Sequence, residues 1–170
     1  MSGDRGMAGR PGSRALVIGV GNDFRSDDGA GLAVARLLKA RRRDGLAVLE
    51  HTGEVAGLLE AWRGADTVIL VDAVVTGAAA GTIHRFDPRA QEFPQECFQC
   101  STHAFGIPEA LALGRALNLL PPRLVVFGVE ARDFAPGGAL SGEVERAARQ
   151  AAERILQEIG DAEAGVTGRG

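Results

Sequence analysis

Residues 15–31 read Ala15-Leu-Val-Ile-Gly-Val-Gly-Asn-Asp-Phe-Arg-Ser-Asp-Asp-Gly-Ala-Gly31, and this stretch decides the fold class. Its first six residues form a continuous apolar run without polar alternation, which is typical of a central strand covered by helices on both faces. A glycine-rich turn follows, and then a helical pattern from Leu32 to Leu38 that ends in the basic residues Lys39 and Arg41 to Arg43. The stretch therefore predicts a buried strand, a turn and a helix.

The same alternation of strand-length and helical patterns continues along the chain. Further strands are predicted at Leu46 to Leu49, Thr67 to Val71, Thr82 to Phe86 and Leu124 to Val129, and further helices at Val55 to Trp62, Gly106 to Leu117 and Gly142 to Ile159, the last with Ser141 as a candidate N-cap. We predict a single three-layer, doubly wound α/β domain, with a mostly parallel sheet of about five strands and helices on both faces. This domain should span residues 14–160, with 1–13 and 161–170 as flexible tails.

Composition limits the class of partner. The 170 residues are 45% apolar and 24% charged, as in one ordinary globular domain. The net charge of −3 provides no cationic field for nucleic acid. No window reaches the roughly 18 apolar residues of a membrane span, and two cysteines are too few for a secreted disulfide framework. We expect a cytoplasmic monomer that binds neither nucleic acid nor membrane.

Two adjacent carboxylates, Asp27 and Asp28, stand at the predicted start of the first helix. A dinucleotide-binding fingerprint would need a third glycine at position 24, which is Phe24, and a pyrophosphate would be repelled by the carboxylates. The pair is compatible with ligands of a cation. It is equally compatible with two acids that only complement the helix dipole.

Two more ionisable residues belong to the same predicted sheet edge. Asp72 ends the apolar strand Thr67 to Val71, and His103 lies in the loop just before the helix that begins at Gly106. Taken singly, Asp72 could be a turn former and His103 a surface residue. Together with Asp28 they make an oxygen and nitrogen set suited to a divalent transition metal with open coordination positions.

Five motifs follow one another along the chain: Gly19-Val-Gly-Asn22, Asp27-Asp-Gly-Ala-Gly31, Leu70-Val-Asp72-Ala, His103 and Gly128-Val-Glu130. With these motifs, the chain resembles the hydrogenase maturation endopeptidase family between about Leu16 and Ile159. The resemblance implies that Asp28, Asp72 and His103 are the catalytic and metal-contacting residues. It also implies that the metal is nickel carried by the substrate, the large-subunit precursor of a nickel-iron hydrogenase, whose C-terminal extension the enzyme removes as an aspartic-type endopeptidase. Asn22, Asp27 and Glu130 are candidates for positions next to the ligands.

One position departs from some members of that family. They carry Glu where this chain has Asp28, and the shorter side chain reaches a metal less far, by roughly 1 Å or more, unless the helix start compensates. The assignment of the ligand stands, whereas its geometry depends on the backbone.

Two other groups of residues could form a metal site or a catalytic site. Cys97 and Cys100 form a C-x-x-C that could be a redox pair or, with His103, part of a zinc site, but no second ligand pair accompanies it. A nucleophilic hydrolase could use Ser26, Ser101, Thr102 or a cysteine with His103 as base. None of these lies in a G-x-S-x-G elbow, so we expect the cysteines to be reduced loop thiols.

Two classes of function remain compatible with the residues. The preferred one is an endopeptidase that uses the nickel of the substrate to locate its cleavage point. The alternative is a nonhydrolytic nickel-binding chaperone or metal-loading sensor for hydrogenase assembly. Both would use the same three ligands, so the sequence alone does not separate them.

Overall fold

The computed structural model describes residues 15–98 and 106–167. Within these residues there are five strands, β1 (Ala15–Val20), β2 (Leu46–His51), β3 (Thr67–Val74), β4 (Ile83–Phe86) and β5 (Arg123–Glu130). The α-helices are α1 (Ala30–Arg41), α2 (Val55–Trp62), α3 (Ile107–Ala116) and α4 (Gly142–Thr167). Short 3-10 helices cover Ser26–Gly29 and Gln95–Phe98.

The strands form one sheet in the order β2-β1-β3-β5-β4, with β4 antiparallel to β5 and the other pairs parallel. From β1 the chain moves outward to β2 and then crosses back to β3 on the other side of β1. The direction of winding therefore reverses between β1 and β3. Ligands of open α/β sheets bind at the carboxyl ends of the strands at such a switch point, so this crevice is the place to look for a site.

Helices cover both faces of the sheet, as predicted. On one face, Ile69 and Val71 of β3 belong to a core cluster with residues of α1 and α4. On the other, Val68 and Leu70 belong to a second cluster with residues of α2 and α3. Because side chains alternate along a strand, β3 must be apolar at nearly every position to fill both cores. This two-sided burial explains the continuous apolar runs in the sequence.

Helix α4 is longer than predicted. Its expected end was Ile159, with 161–170 as a flexible tail, whereas the helix runs to Thr167. Arg43 holds the added turns, because its guanidinium donates to the Leu156 carbonyl at 3.1 Å and to Glu163 Oε2 at 2.8 Å. Neither α4 nor any other helix among the described residues is apolar enough over a sufficient length to cross a membrane.

Strand β3 is also longer than predicted, and this changes the setting of Asp72. The strand continues to Val74 because Ala73 and Val74 pair in register with Val129 and Glu130 of β5. Asp72 therefore lies inside the strand and not just after it. Glu130, which we expected directly after β5, is the last residue of that strand.

Candidate active site

The glycines of the first motif let helix α1 begin directly on the strand ends. A Cβ atom on Gly31 would overlap the carbonyl oxygens of Val20 and Val71, so only glycine fits between the ends of β1 and β3. A Cβ on Gly21 would overlap the Asp28 carbonyl oxygen, which accepts a hydrogen bond from the Asn22 amide at 3.1 Å. These close approaches bring the 3-10 helix that carries Asp28 down onto the switch point.

Asp72 and Asp28 are two buried carboxylates within electrostatic reach of each other. Asp72 is 5% exposed and Asp28 is 3% exposed. Burial raises the pKa of Asp72 well above its ordinary value, and the charge of Asp28 raises it further. The Ala73 amide, which donates to Asp72 Oδ1 at 2.8 Å, acts in the opposite direction. Two buried like charges are stabilised by a cation, so these carboxylates are suited to supply part of the ligand shell of a divalent metal.

Arg25 lies beside the Asp28 carboxylate. Its Nη1 lies 3.7 Å from Asp28 Oδ2, and the side chain of Arg25 remains 24% exposed. The guanidinium also lies over the ring of Phe134, 5.5 Å from the centroid, in the geometry of a cation–π contact. A positive charge is therefore already present beside Asp28.

Asp27 has a different role from its neighbour Asp28. It is fully buried and accepts four hydrogen bonds, from the amides of Arg132, Asp133 and Ser141 and from the Ser141 hydroxyl, at 2.7 to 3.0 Å. This carboxylate fastens the segment after β5 to the segment after β1. We expected Asp27 next to the ligands, and the structure shows its oxygens engaged in holding these two segments together.

Hydrogen bonds of the Asn22 and Asp23 side chains hold the loop that follows β1 in place. The Asn22 side chain accepts a hydrogen bond from the Phe24 amide at 2.9 Å, while Asp23 takes two hydrogen bonds from Arg36, at 2.6 and 3.0 Å. The carbonyl of Phe24 accepts from the Gly137 amide at 2.7 Å. These three sets of hydrogen bonds fix the loop, yet the side chain of Phe24 is 79% exposed.

Glu130 is buried and hydrogen-bonded to groups that the sequence analysis did not single out. Its carboxylate accepts from the Thr76 amide and hydroxyl, both at 2.8 Å, and from the Gly77 amide at 3.1 Å. His84 Nε2 lies 3.0 Å from Glu130 Oε2. Burial raises the pKa of Glu130, but these hydrogen bonds outweigh burial and leave the pKa below its ordinary value. Glu130 thus fixes the turn that follows β3.

No sequence signal could have revealed these partners of Glu130. Thr76 and His84 precede it by 54 and 46 residues, and a threonine in a turn and a histidine on a short strand are ordinary in those places. Only the register of β3, β4 and β5 brings them together.

The third expected ligand, His103, lies outside the described residues, as do Cys100, Ser101 and Thr102. Within 15–98 and 106–167 no three histidine, cysteine, aspartate or glutamate side chains lie close enough together to hold a metal ion. The last described residues before this segment lie near the end of β3, because the Cys97 carbonyl accepts a hydrogen bond from the Val75 amide at 3.0 Å.

Two of the alternative nucleophiles are described, and their surroundings disfavour that role. The hydroxyl of Ser26 is buried and donates to the Ala139 carbonyl at 3.1 Å. Burial and the charges of Glu96 and Glu130 raise the pKa of the Cys97 thiol, which reduces its thiolate fraction. Neither Ser26 nor Cys97 has the environment of an activated nucleophile.

The fold and this acidic switch point define an open α/β protein with a candidate ligand site at the carboxyl edge of its sheet. The family model described as hydrogenase maturation protease matches residues 33–158. The chain is 30% identical over 149 residues to the hydrogenase 2 maturation protease of Escherichia coli, with 84% of this chain and 88% of that protein covered. It is 31% identical over 148 residues to the hydrogenase expression/formation protein HoxM of Azotobacter vinelandii, with 85% and 70% covered.

A solved structure agrees with these sequence comparisons. The hydrogenase maturating endopeptidase HybD from Escherichia coli superposes with a TM-score of 0.73 at 26% identity, covering 88% of this chain and 93% of that one. The chain belongs to the hydrogenase maturation protease family. It is accordingly a hydrolase of the endopeptidase class, which disfavours the nonhydrolytic chaperone.

Proposed function

We propose that this protein removes the C-terminal extension of a nickel-iron hydrogenase large-subunit precursor after nickel has been inserted. The observation that carries the proposal is the pair of buried carboxylates, Asp28 and Asp72, at the switch point of a chain in the hydrogenase maturation protease family. Such a pair calls for a positive partner. Arg25 lies beside Asp28, and a nickel ion held by the substrate would provide a divalent partner for both carboxylates at the moment of recognition.

Asp28, Asp72 and His103 are the residues that we assign to contact with the nickel of the substrate. Three side chains leave coordination positions open, so the ligands of the large subunit complete the shell. The nickel would polarise the scissile carbonyl or the attacking water. Before the nickel arrives, Asp72 is suited to hold a proton, because burial and the charge of Asp28 raise the pKa of its carboxyl group.

We further propose that the protein acts as a monomer in the cytoplasm. Cleavage would depend on correct metal loading, since a precursor without nickel lacks the cation that the carboxylates require. The protein would then be a checkpoint in hydrogenase assembly as well as a protease.

The experiment that tests this assignment is precursor processing by matched carboxylate variants. Asp28→Asn and Asp72→Asn each remove a buried charge at nearly constant volume, and Asp23→Asn removes an exposed one from the same loop. With nickel-loaded precursor we expect both site variants to lose at least 100-fold in processing rate, measured by mass spectrometry, and the Asp23 variant to stay within threefold of wild type. Normal processing by both site variants would contradict the assignment.

A further inference from the structure

Arg25 places a positive charge beside Asp28 in the candidate site. Its guanidinium lies 3.7 Å from Asp28 Oδ2. Its backbone is fixed in the same turn, because its amide donates to the Asn22 carbonyl and its own carbonyl accepts from the Asp28 amide at 3.0 Å. Arg25 and Asp28 are therefore held in the same hydrogen-bonded turn. The positive charge lies where a cation bound by Asp28 would meet it.

A second contact holds the guanidinium in place. The ring of Phe134 lies beneath it at 5.5 Å and is packed against the core cluster formed with α1 and α4. The segment carrying Phe134 is itself anchored, since the neighbouring amides of Arg132 and Asp133 donate to Asp27 at 2.9 Å. Arg25 is thus confined between an anchored ring and the carboxylate of Asp28.

We propose that Arg25 is the resting counter-cation of the Asp28 carboxylate and that it keeps free divalent metal ions out of the site. This inference rests on the proposed function. An arginine is charged at every physiological pH, so its repulsion of a bare divalent ion is always present. A nickel ion that arrives with anionic ligands of the substrate has a lower net charge and is repelled less. Arg25 would therefore favour substrate-held nickel over free nickel.

The inference predicts the affinity of the protein for free nickel. Arg25→Met removes the charge while keeping an unbranched stem that can lie on Phe134, and it should bind Ni²⁺ at least tenfold more tightly than wild type in isothermal titration calorimetry. Arg25→Lys keeps a positive charge and should bind close to wild type. The tighter binding of Arg25→Met should disappear when Asp28→Asn is added.

Arg36→Met is the matched control, because it removes an arginine that pairs with Asp23 and Glu50 outside the site. Its nickel affinity should equal that of wild type. Circular dichroism verifies the fold of each variant, and Arg25→Gln replaces Arg25→Met if the latter does not fold. Equal Ni²⁺ affinity of the charge-free variant and wild type would overturn the inference, as would equal tightening in Arg36→Met.

The failure of this inference can be told apart from the failure of the proposed function. If removal of the Arg25 charge leaves nickel affinity unchanged while processing still requires Asp28 and nickel, only the role of Arg25 is overturned. If Asp28→Asn changes neither nickel binding nor processing, both the inference and the proposed function are contradicted.

Discussion

Asp72 carries its buried carboxylate within electrostatic reach of the carboxylate of Asp28, and burial together with this neighbour raises the pKa of Asp72. An acid whose pKa is higher in the folded than in the unfolded state favours folding below the unfolded value, and this contribution is lost as the pH rises towards the folded value. At neutral pH the site therefore opposes stability. Evolution tolerates such costs where activity requires them.

The first prediction follows from this cost. Asp72→Asn keeps the oxygen that accepts from the Ala73 amide and removes the charge, so it should stabilise the protein at pH 7 by about 1 kcal/mol, or roughly 2 to 4 °C in melting temperature. The gain over wild type should shrink as the pH falls to about 4, near the pKa of an unfolded aspartate. Differential scanning calorimetry across this range measures it.

Asp44→Asn is the control for Asp72→Asn, because Asp44 is exposed and precedes β2 far from the site. Its melting temperature should follow that of wild type at every pH. A lower melting temperature for Asp72→Asn at pH 7 would contradict a buried, like-charged pair.

The second prediction separates Asp27 from Asp28. Asp27→Ala leaves three backbone amides and a hydroxyl without their acceptor, so it should reduce the free energy of unfolding by about 2 kcal/mol or more. Asp28→Ala should cost far less stability while removing processing. Urea denaturation followed by circular dichroism compares them. Equal stability of the two variants would show that Asp27 does not anchor the segment after β5.

The third prediction concerns Glu130. Its pKa is raised by burial but brought below the ordinary value by the hydrogen bonds from Thr76, Gly77 and His84, so its ionised form stabilises the fold. This contribution is present above the unfolded pKa of about 4.3 and is lost as the pH falls through the lower folded value. Glu130→Gln should lose about 1 to 2 kcal/mol at pH 7 and progressively less as the pH falls below the unfolded pKa. A stability difference between Glu130→Gln and wild type that does not change with pH would contradict an ionised Glu130.

The fourth prediction concerns Phe24, which a braced loop holds exposed beside the site. An exposed aromatic ring on a fixed backbone is a common anchor in protein recognition. Phe24→Ala should leave the melting temperature within about 1 °C and raise the KM for precursor roughly tenfold with little change in kcat. Leu117→Ala, which removes another exposed apolar side chain after α3, should leave KM unchanged. An unchanged KM for Phe24→Ala would exclude this contact.

The sequence predicted the layers of the fold because two-sided burial leaves a clear trace in composition. The runs at Ala15 to Val20 and Leu124 to Val129 are apolar at nearly every position, and both are buried strands. Strand and helix ends were less predictable. Asp72 lies within β3 because pairing with β5 extends the strand, and pairing partners are not visible in one segment.

The site was predictable in its location but not in the roles of its members. Asp27 and Asp28 are adjacent and chemically identical, and only the 3-10 turn directs one to the β5–α4 segment and the other to the switch point. Arg25 and Phe134 are 109 positions apart in number and meet because Asp27 fastens their segments together. The role of His103 stays a prediction, since it lies outside the described residues.

The central claim is that the site formed by Asp28 and Asp72 cleaves the precursor only when the precursor holds nickel. The direct measurement incubates the wild-type protein with two preparations of the same large-subunit precursor, one with nickel inserted and one without, and follows the loss of the C-terminal extension by mass spectrometry. The account predicts that the nickel-containing precursor is shortened and that the nickel-free precursor stays intact. Complete cleavage of the nickel-free precursor at the same rate would contradict it.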